Sequence, residues 1–437
     1  MLQGPIARRS HSEHAMTGRS RRSVWGRLLN SNRFLLSALL LIAIVLPELV
    51  HPAVDDMGRW FEADAGGIEI SLFASIAALV TCHFSLRQMG NLPLVTGRLL
   101  IPPTFVATYS VIIVAFYAIK VPLAPYHFWT SALIGVLAYS ALAIARARYF
   151  QPLVALIGLP GHFTHALPGN IRWLPLDRPA LPCPVSAIVV DPHAELDLEC
   201  SHFLTDAVLQ GVPVYHRSHL EEGLTGRVRF RHYADNNFGA LLPSLNYLRI
   251  KRLLDLVLVV LFAPFVIAIL AVAAVLIRID SRGPAIYTQF RRGFRGTPFV
   301  CYKLRTMRND HGGPAYTSSE DDRVTRIGRF LRKWRIDELP QVLNIIRGEM
   351  SWIGPRPEAI ELAAMYGAQV PFYDYRHAVR PGISGWAAVH QGNVALVEAA
   401  RTKLEYDFYY IKYFSVWLDC LIALKTAQTV VTGFGSR

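Results

Sequence analysis

Five stretches of this chain carry almost no charge over about the length that a lipid bilayer demands: residues 34–50, 69–86, 99–119, 126–145 and Leu256–Ile277. A helix needs roughly twenty apolar residues to cross a hydrocarbon core of about 30 Å, and backbone in lipid must satisfy its own hydrogen bonds. The first four stretches read as spans. Arg8, Arg9, Arg19, Arg21, Arg22, Arg27 and Arg33 precede the first, and Asp55, Asp56, Glu62 and Asp64 follow it. Arg87 and Arg98, then Arg146 and Arg148, mark the returns, so the positive-inside rule leaves both ends of a four-span bundle inside. No small-residue cleavage site follows the first apolar run and more runs come after it, which argues against a signal peptide.

The fifth stretch is different. Its length favours a plain crossing, but Pro264 lies in its interior and cations flank both ends: Lys251 and Arg252 before it, Arg278 and Arg282 after it. A proline removes a helix hydrogen bond and bends the axis, and like charges at both ends give no reason to cross. The expected structure is a re-entrant helix over 251–280 that breaks near Ala263–Pro264 and returns to the face it entered.

Residues 151–245 are soluble in character. Val185–Asp191 reads as a buried strand, Ser201–Gly211 as an amphipathic helix stopped by glycine, and Val212–His216 as another strand, a βαβ pattern. Gly158-Leu-Pro-Gly161 falls short of the glycine fingerprint for nucleotides, so a structural or regulatory module is the preferred reading.

Composition decides between partners. The 437 residues carry a formal charge of +13 together with 52% hydrophobic residues. Such positive charge suits nucleic acid, an anionic membrane or phosphorylated substrates, and the apolar content favours the membrane over nucleic acid. The five cysteines are scattered, with no CxxC spacing, which suggests reduced thiols and neither a disulfide framework nor a zinc site.

From Arg278 to Arg335 there are fourteen Lys/Arg against five Asp/Glu. A solvated basic face against lipid headgroups accounts for part of this. Lys303 and Arg305 alternate with apolar residues in a strand-like run, which would aim both cations into one site, and arginine's fork matches phosphate oxygens. Asp321 and Asp322 open a helix with an apolar stripe of Val324, Ile327, Leu331 and Trp334, opposite Arg323, Arg326, Arg329, Arg332 and Lys333. That pattern suits a helix lying in the membrane interface. Asp337 and Glu338 then precede Pro340 and a helix over Gln341–Arg347 stopped by Gly348. Adjacent carboxylates there are either an N-terminal cap or a reactive pair beside cations.

Five segments carry a resemblance: KRLLDLVLVVLFAPF, YKLRTM, RIDELPQVLNIIRGEMSWIGPRP, VRPGISGWAAV and EYDFYYIKYFSVWLD. In this order they resemble the bacterial sugar transferases, the monotopic phosphoglycosyl transferases, from about Leu248 to the C-terminus. With the preceding spans and module, the chain is similar to the long members, the undecaprenyl-phosphate glucose or galactose phosphotransferases. The resemblance implies a polyprenyl-phosphate hexose-1-phosphate transferase that moves a sugar 1-phosphate from a UDP-sugar to undecaprenyl phosphate and releases UMP. That is the first membrane step of exopolysaccharide, capsule or O-antigen synthesis. It implies Asp337 as nucleophile, Glu338 assisting with Mg²⁺, Lys303, Arg332 and Arg356 on phosphate, and Pro264 as the helix break. One departure is plain: the family often reads GWAQVNG where this chain has Ala388 and His390, which puts the sugar or nucleotide contacts of that loop in doubt.

The expected architecture is therefore a membrane protein of α plus α/β class. It has an Arg-rich cytoplasmic N-terminus (1–33), four transmembrane helices (34–150), a Rossmann-like cytoplasmic module (151–245) and a catalytic domain (246–437). The expected location is the bacterial inner membrane, multi-pass, with the catalytic domain on the cytoplasmic face, lipid and a UDP-sugar as partners and no nucleic acid. Self-association into a homo-oligomer is left open. The competing reading is a non-catalytic scaffold or regulator of polysaccharide assembly, in which Asp337 and Glu338 only cap a helix.

Overall fold

A computed structural model of the chain describes residues 31–46, 65–90, 100–121, 124–149, 152–158, 171–176, 178–181, 183–191, 197–229, 242–308, 323–391 and 397–432. These divide into two compact units, Met1–Glu221 and Glu222–Arg437.

The first unit begins with apolar helices. They are α1 (Asn32–Leu40, continued by a wider turn over Leu41–Val45), α2 (Ala65–Gly90), α3 (Ile101–Ala118) and α4 (Pro125–Tyr149). Stretches within α2, α3 and α4 are long and apolar enough to cross a membrane, whereas the described part of the first expected span, Asn32–Val45, is shorter. Phe105, Tyr109 and Phe128 are buried between α3 and α4, and the Tyr109 and Ser131 hydroxyls meet at 3.1 Å. The basic N-terminus and the acidic first loop lie outside the described residues.

An α/β region follows. Strands β1 (Leu153–Ile157), β2 (Arg172–Leu176), β3 (Ala187–Val190) and β4 (Val214–His216) form an all-parallel sheet in the order β2-β1-β3-β4. Buried aliphatic runs in β1 and β3 are what a parallel sheet covered on its faces requires. Helix α5 (Leu198–Leu209) lays Cys200 and Ala207 on Ala155 and Ile188. Asp197 caps it by accepting from the Cys200 N–H, and Gly211 follows it at a φ of 81°. The strand–helix–strand pattern is thus present, while most of the Gly158–Gly161 turn lies outside the described residues. Helix α6 is Arg217–Thr225.

The second unit starts earlier than the sequence suggests. Glu222 accepts from Lys412 Nζ and from the Tyr413 hydroxyl, each at 2.8 Å, and the Trp386 indole donates to the Gly226 carbonyl at 2.9 Å. The Val228 N–H donates to Glu405. The compact unit thus includes Glu222 to Val228, upstream of the expected 245/246 boundary, through partners within the same unit.

Helix α7 (Leu245–Asp280) is the spine of this unit, and it corrects an expectation. The helix runs through Pro264 without interruption, so the break near Ala263 is not present. One stripe of α7 is buried, from Tyr247 and Lys251 through Asp255, Val259 and Val266 to Ala273 and Ile277. Pro264 lies on the exposed side of the helix. The stripe meets the domain along its whole length. Lys251 pairs with Asp419 at 2.6 Å, Asp255 accepts from the Ser351 hydroxyl at 2.9 Å, and Val259 and Val266 join Phe299, Cys301, Val342 and Ile345. Ala273 and Ile277 pack with Ala285, Leu304 and Leu331.

Strands β5 (Ile286–Arg292) and β6 (Pro298–Leu304) form an antiparallel hairpin. Helix α8 is Arg326–Lys333, a 3-10 turn covers Ile336–Gln341, and α9 is Val342–Arg347, closed by Gly348 at a φ of 83°. Thr325, not the Asp321–Asp322 pair, caps α8 by accepting from the Gly328 N–H; that aspartate pair lies outside the described residues. Strands β7 (Ser351–Ile353) and β8 (Gly382–Ser384) pair in parallel. They approach so closely that a Cβ on Gly354 would sit 2.2 Å from the Arg380 carbonyl oxygen, one on Gly382 2.1 Å from the Gly354 nitrogen, and one on Gly385 2.2 Å from the Gly354 oxygen. Helices α10 (Ile360–Gln369), α11 (Trp386–Gln391), α12 (Val397–Lys412) and α13 (Val416–Thr432) complete the unit.

Candidate active site

Three backbone segments converge on one point. Strand β6 presents Lys303, the 3-10 turn presents Asp337 and Glu338, and the loop after β7 presents Arg356. Buried Asn344 on α9 ties two of them together. Its amide donates to the Val300 carbonyl and to Glu349, each at 2.6 Å, while its oxygen accepts from the Tyr302 N–H. The turn that bears the carboxylates is thereby held against the strand that bears the lysine.

The adjacent carboxylates have different surroundings. Glu338 is only 4% exposed and accepts from Arg356 Nη2 at 2.6 Å and Lys303 Nζ at 3.3 Å on Oε1, and from Arg356 Nη1 at 3.2 Å on Oε2. Burial alone would raise its pKa, but Arg356 and Lys303 outweigh burial and hold the carboxyl well below the usual range. Asp337 is half-buried and makes no hydrogen bond or ion pair among the described residues. Burial, then the neighbouring Glu338 charge, pushes its carboxyl up to about 6, against the pull of Lys303, Arg356 and Arg332. Asp337 is therefore a more basic carboxylate than usual and is unengaged among the described residues. Neither carboxylate caps a helix: no side-chain cap bond is made at the start of the 3-10 turn or of α9.

The cations divide. Lys303 and Arg356 are in the site. Arg332 feels the Asp337 charge and donates through Nε to the Thr306 hydroxyl at 2.9 Å. Arg305 is not in the site. Strand β6 ends at Leu304, so the alternation stops, and the Arg305 guanidinium turns to the C-terminus of α7, donating to the Ser281 and Arg282 carbonyls at 2.7 Å each. Expecting Lys303 and Arg305 to share a site assumed one more residue of strand than the chain forms. His390, in the loop that departs from the family pattern, is also occupied. Lys425 Nζ lies 2.8 Å from its Nε2 and the Trp386 carbonyl 2.8 Å from its Nδ1, so the ring accepts from the lysine and donates to the carbonyl. Burial and Lys425 push its pKa down to about 4, which keeps it neutral.

Two features escaped the sequence reading. One is Arg335, immediately before the 3-10 turn. The other is a buried network behind Arg356, in which Arg376 (2% exposed) donates to the Arg356 carbonyl at 2.9 Å and pairs with Asp407 at 2.8 Å. Glu358 pairs with Lys403 in the same cluster. The available signal was Lys403 and Asp407, one helical turn apart in an otherwise aromatic stretch.

A divalent cation would find few protein ligands. Among the described residues there is no group of three or more His, Cys, Asp or Glu side chains able to hold one. Magnesium commonly takes one or two carboxylates and completes its shell with phosphate oxygens and water, so Glu338, with lone-pair capacity left on Oε2, and Asp337 fit that habit. The segments before and after the 3-10 turn carry exposed apolar side chains: Phe330, Trp334, Leu343 and Ile346.

Residues 246–433 match the bacterial sugar transferase family. The chain is 37% identical over 411 residues to a UDP-N-acetylgalactosamine-undecaprenyl-phosphate N-acetylgalactosaminephosphotransferase of Aeromonas hydrophila, a match covering 92% of this chain and 95% of that protein. UDP-glucose:undecaprenyl-phosphate glucose-1-phosphate transferases of Caulobacter vibrioides and Escherichia coli are 42% and 36% identical over 186 and 192 residues. Those matches cover 42% and 43% of this chain, and 70% and 41% of the two relatives. With a full-length relative and a family match over the half that holds Asp337, Glu338 and Arg356, the chain belongs to the bacterial sugar transferases.

Proposed function

We propose that the protein transfers a sugar 1-phosphate from a UDP-sugar to undecaprenyl phosphate and releases UMP, with Asp337 as the nucleophile. The observation that carries this is the division of labour within the pair: Glu338 is held by Arg356 and Lys303, while Asp337 beside them makes no hydrogen bond or ion pair among the described residues. A diphosphate and a phosphate repel each other, and a covalent intermediate splits their reaction into two displacements. A carboxylate oxygen of Asp337 attacks the sugar-bearing phosphorus and the bond to the bridging oxygen breaks, so UMP leaves. A phosphate oxygen of the lipid then attacks the same phosphorus, the aspartyl bond breaks, and the carboxylate returns. Lys303, Arg332 and Arg356 hold the phosphates. Glu338, together with phosphate oxygens of the substrate, would hold a magnesium ion, which would supply charge neutralisation on the diphosphate.

The reading places the protein in the bacterial inner membrane, with the site on the cytoplasmic face where nucleotide sugars are made. Packing of α7 on a single domain from Tyr247 to Ile277 supports both ends of that helix lying on one side. Exposed Phe330, Trp334, Leu343 and Ile346 suit the interface beside a lipid substrate. The names of the relatives supply the donors to test. UMP release is measured from UDP-N-acetylgalactosamine and from UDP-glucose with undecaprenyl phosphate, then with labelled donor alone. Donor-dependent UMP release and label on a peptide containing Asp337 are expected. An intact, membrane-bound protein that releases no UMP from any UDP-sugar and takes no label would overturn the proposal.

A further inference from the structure

Arg335 occupies the left-handed region, at a φ of 54° and a ψ of 23°, where a residue other than glycine or asparagine is uncommon. Its backbone is held there from both sides: its N–H donates to the Arg332 carbonyl at 3.1 Å and its carbonyl accepts from the Glu338 N–H at 3.3 Å. The turn that presents the two carboxylates therefore starts from a strained arginine, and strain of this kind clusters at functional sites.

The side chain has no local employment. Among the described residues the Arg335 guanidinium makes no hydrogen bond or ion pair. It is half-buried, and Glu338, Arg356 and Asp337 all lie close enough to act on its charge. Burial opposes that charge and so does Arg356, with Glu338 relieving it in part. The other cations are engaged: Lys303 and Arg356 by Glu338, Arg305 by the end of α7, and Arg332 through Nε by Thr306. An arginine held in strain, partly out of water, beside a carboxylate pair and without an anion of its own among the described residues has a fork of N–H donors to offer.

We infer that Arg335 is a further catalytic residue whose guanidinium takes a phosphate oxygen at the Asp337 centre, from either the donor's diphosphate or the acceptor's phosphate. This rests on the reading of Asp337 as nucleophile. A bidentate contact to a group carrying charge throughout the reaction should be worth about tenfold or more in rate or binding.

The test is Arg335→Gly, because glycine suits the backbone conformation and removes only the side chain. Arg335→Asn, which also tolerates that region, serves if the glycine variant fails to fold. The expected result is a thermal midpoint equal to or above wild type, with kcat/KM lowered at least tenfold and Arg335→Lys in between. Two arms name the source. Slower labelling of Asp337 from labelled UDP-sugar without lipid assigns the contact to the donor, whereas a raised KM for undecaprenyl phosphate with unchanged labelling assigns it to the acceptor. A glycine variant with wild-type kcat/KM for both substrates and wild-type labelling overturns the inference. So does an activity loss matched by an equal loss of folded protein in both variants. Asp337→Asn run alongside keeps the two proposals apart: its inactivity upholds the nucleophile even if Arg335 proves idle.

Discussion

Arg356 meets Glu338 fork to fork, with Nη2 2.6 Å from Oε1 and Nη1 3.2 Å from Oε2, while Asp337, the preceding residue in the chain, pairs with nothing among the described residues. The two carboxylates are therefore separable by mutation.

Arg356→Ala should leave Glu338 buried with Lys303 as the one cation still hydrogen-bonded to it among the described residues. Removing one partner of a buried pair costs about 3 kcal/mol or more. A fall in the thermal midpoint in detergent is expected, together with loss of UMP release. The double variant Arg356→Met, Glu338→Gln should recover much of the midpoint and none of the activity. A single variant as stable as wild type would show that the pair is not holding the site together.

Asp337→Asn should abolish turnover and stabilise the fold at neutral pH. The folded protein binds the Asp337 proton more tightly than the unfolded chain does, since the pKa rises from 3.8 to about 6. The ionised group thus destabilises the fold fully above pH about 6, and this penalty fades as pH falls towards 4. Discounted for partial exposure, the gain should be roughly 1–2 kcal/mol at pH 7.5 and near zero at pH 4. A capping aspartate predicts no such gain, so midpoints of both proteins across that range decide.

Attack requires the carboxylate form, so labelling of Asp337 from a UDP-sugar should slow as pH drops through about 6. Rapid-quench labelling without lipid measures this step alone. A profile flat down to pH 5 would contradict the environment described for Asp337.

Ala273 (3% exposed) packs against Ala285 and Leu304, whereas Val272 (60% exposed) faces outward. Ala273→Leu should overpack that contact and cost roughly 1–3 kcal/mol, and Val272→Leu almost nothing. Cysteines placed at Asn246 and Arg282 should label from the same side of the membrane; opposite accessibility would require α7 to cross.

A truncated chain beginning at Arg217 should release UMP, whereas one beginning at Ser244 should be markedly less stable. The shorter chain lacks Glu222, Gly226 and Val228, and so strands Lys412, Tyr413 and the Trp386 indole. Each buried group left unpartnered costs about 1–3 kcal/mol. Equal stability of the two would return the boundary to Leu245.

Much of this was legible in the chain itself. Period and punctuation gave β3, α5 and β4, and Pro340 with Gly348 bracketed α9. Asp337, Glu338, Lys303 and Arg356 come together as their motifs suggested. Arg305 was misplaced because one residue beyond the end of a strand reverses nothing in the sequence yet turns the side chain elsewhere. The uninterrupted helix through Pro264 was hidden because a proline's local penalty is visible, while the stripe packed along α7 depends on distant residues. Arg335 was invisible because no pattern of residue types marks a left-handed backbone.

The glycines at 354, 382 and 385 carry a consequence for precision. Between them the gap is set by main-chain atoms, without intervening side chains. Side chains can change rotamer or protonation state; a backbone-to-backbone contact has neither freedom. Gly354 stands two residues before Arg356, so the loop that delivers this cation is gauged against β8 by a spacer with no moving part. A single methyl group added there would be transmitted to the guanidinium as displacement, which makes these three positions as intolerant of change as the charged residues they align.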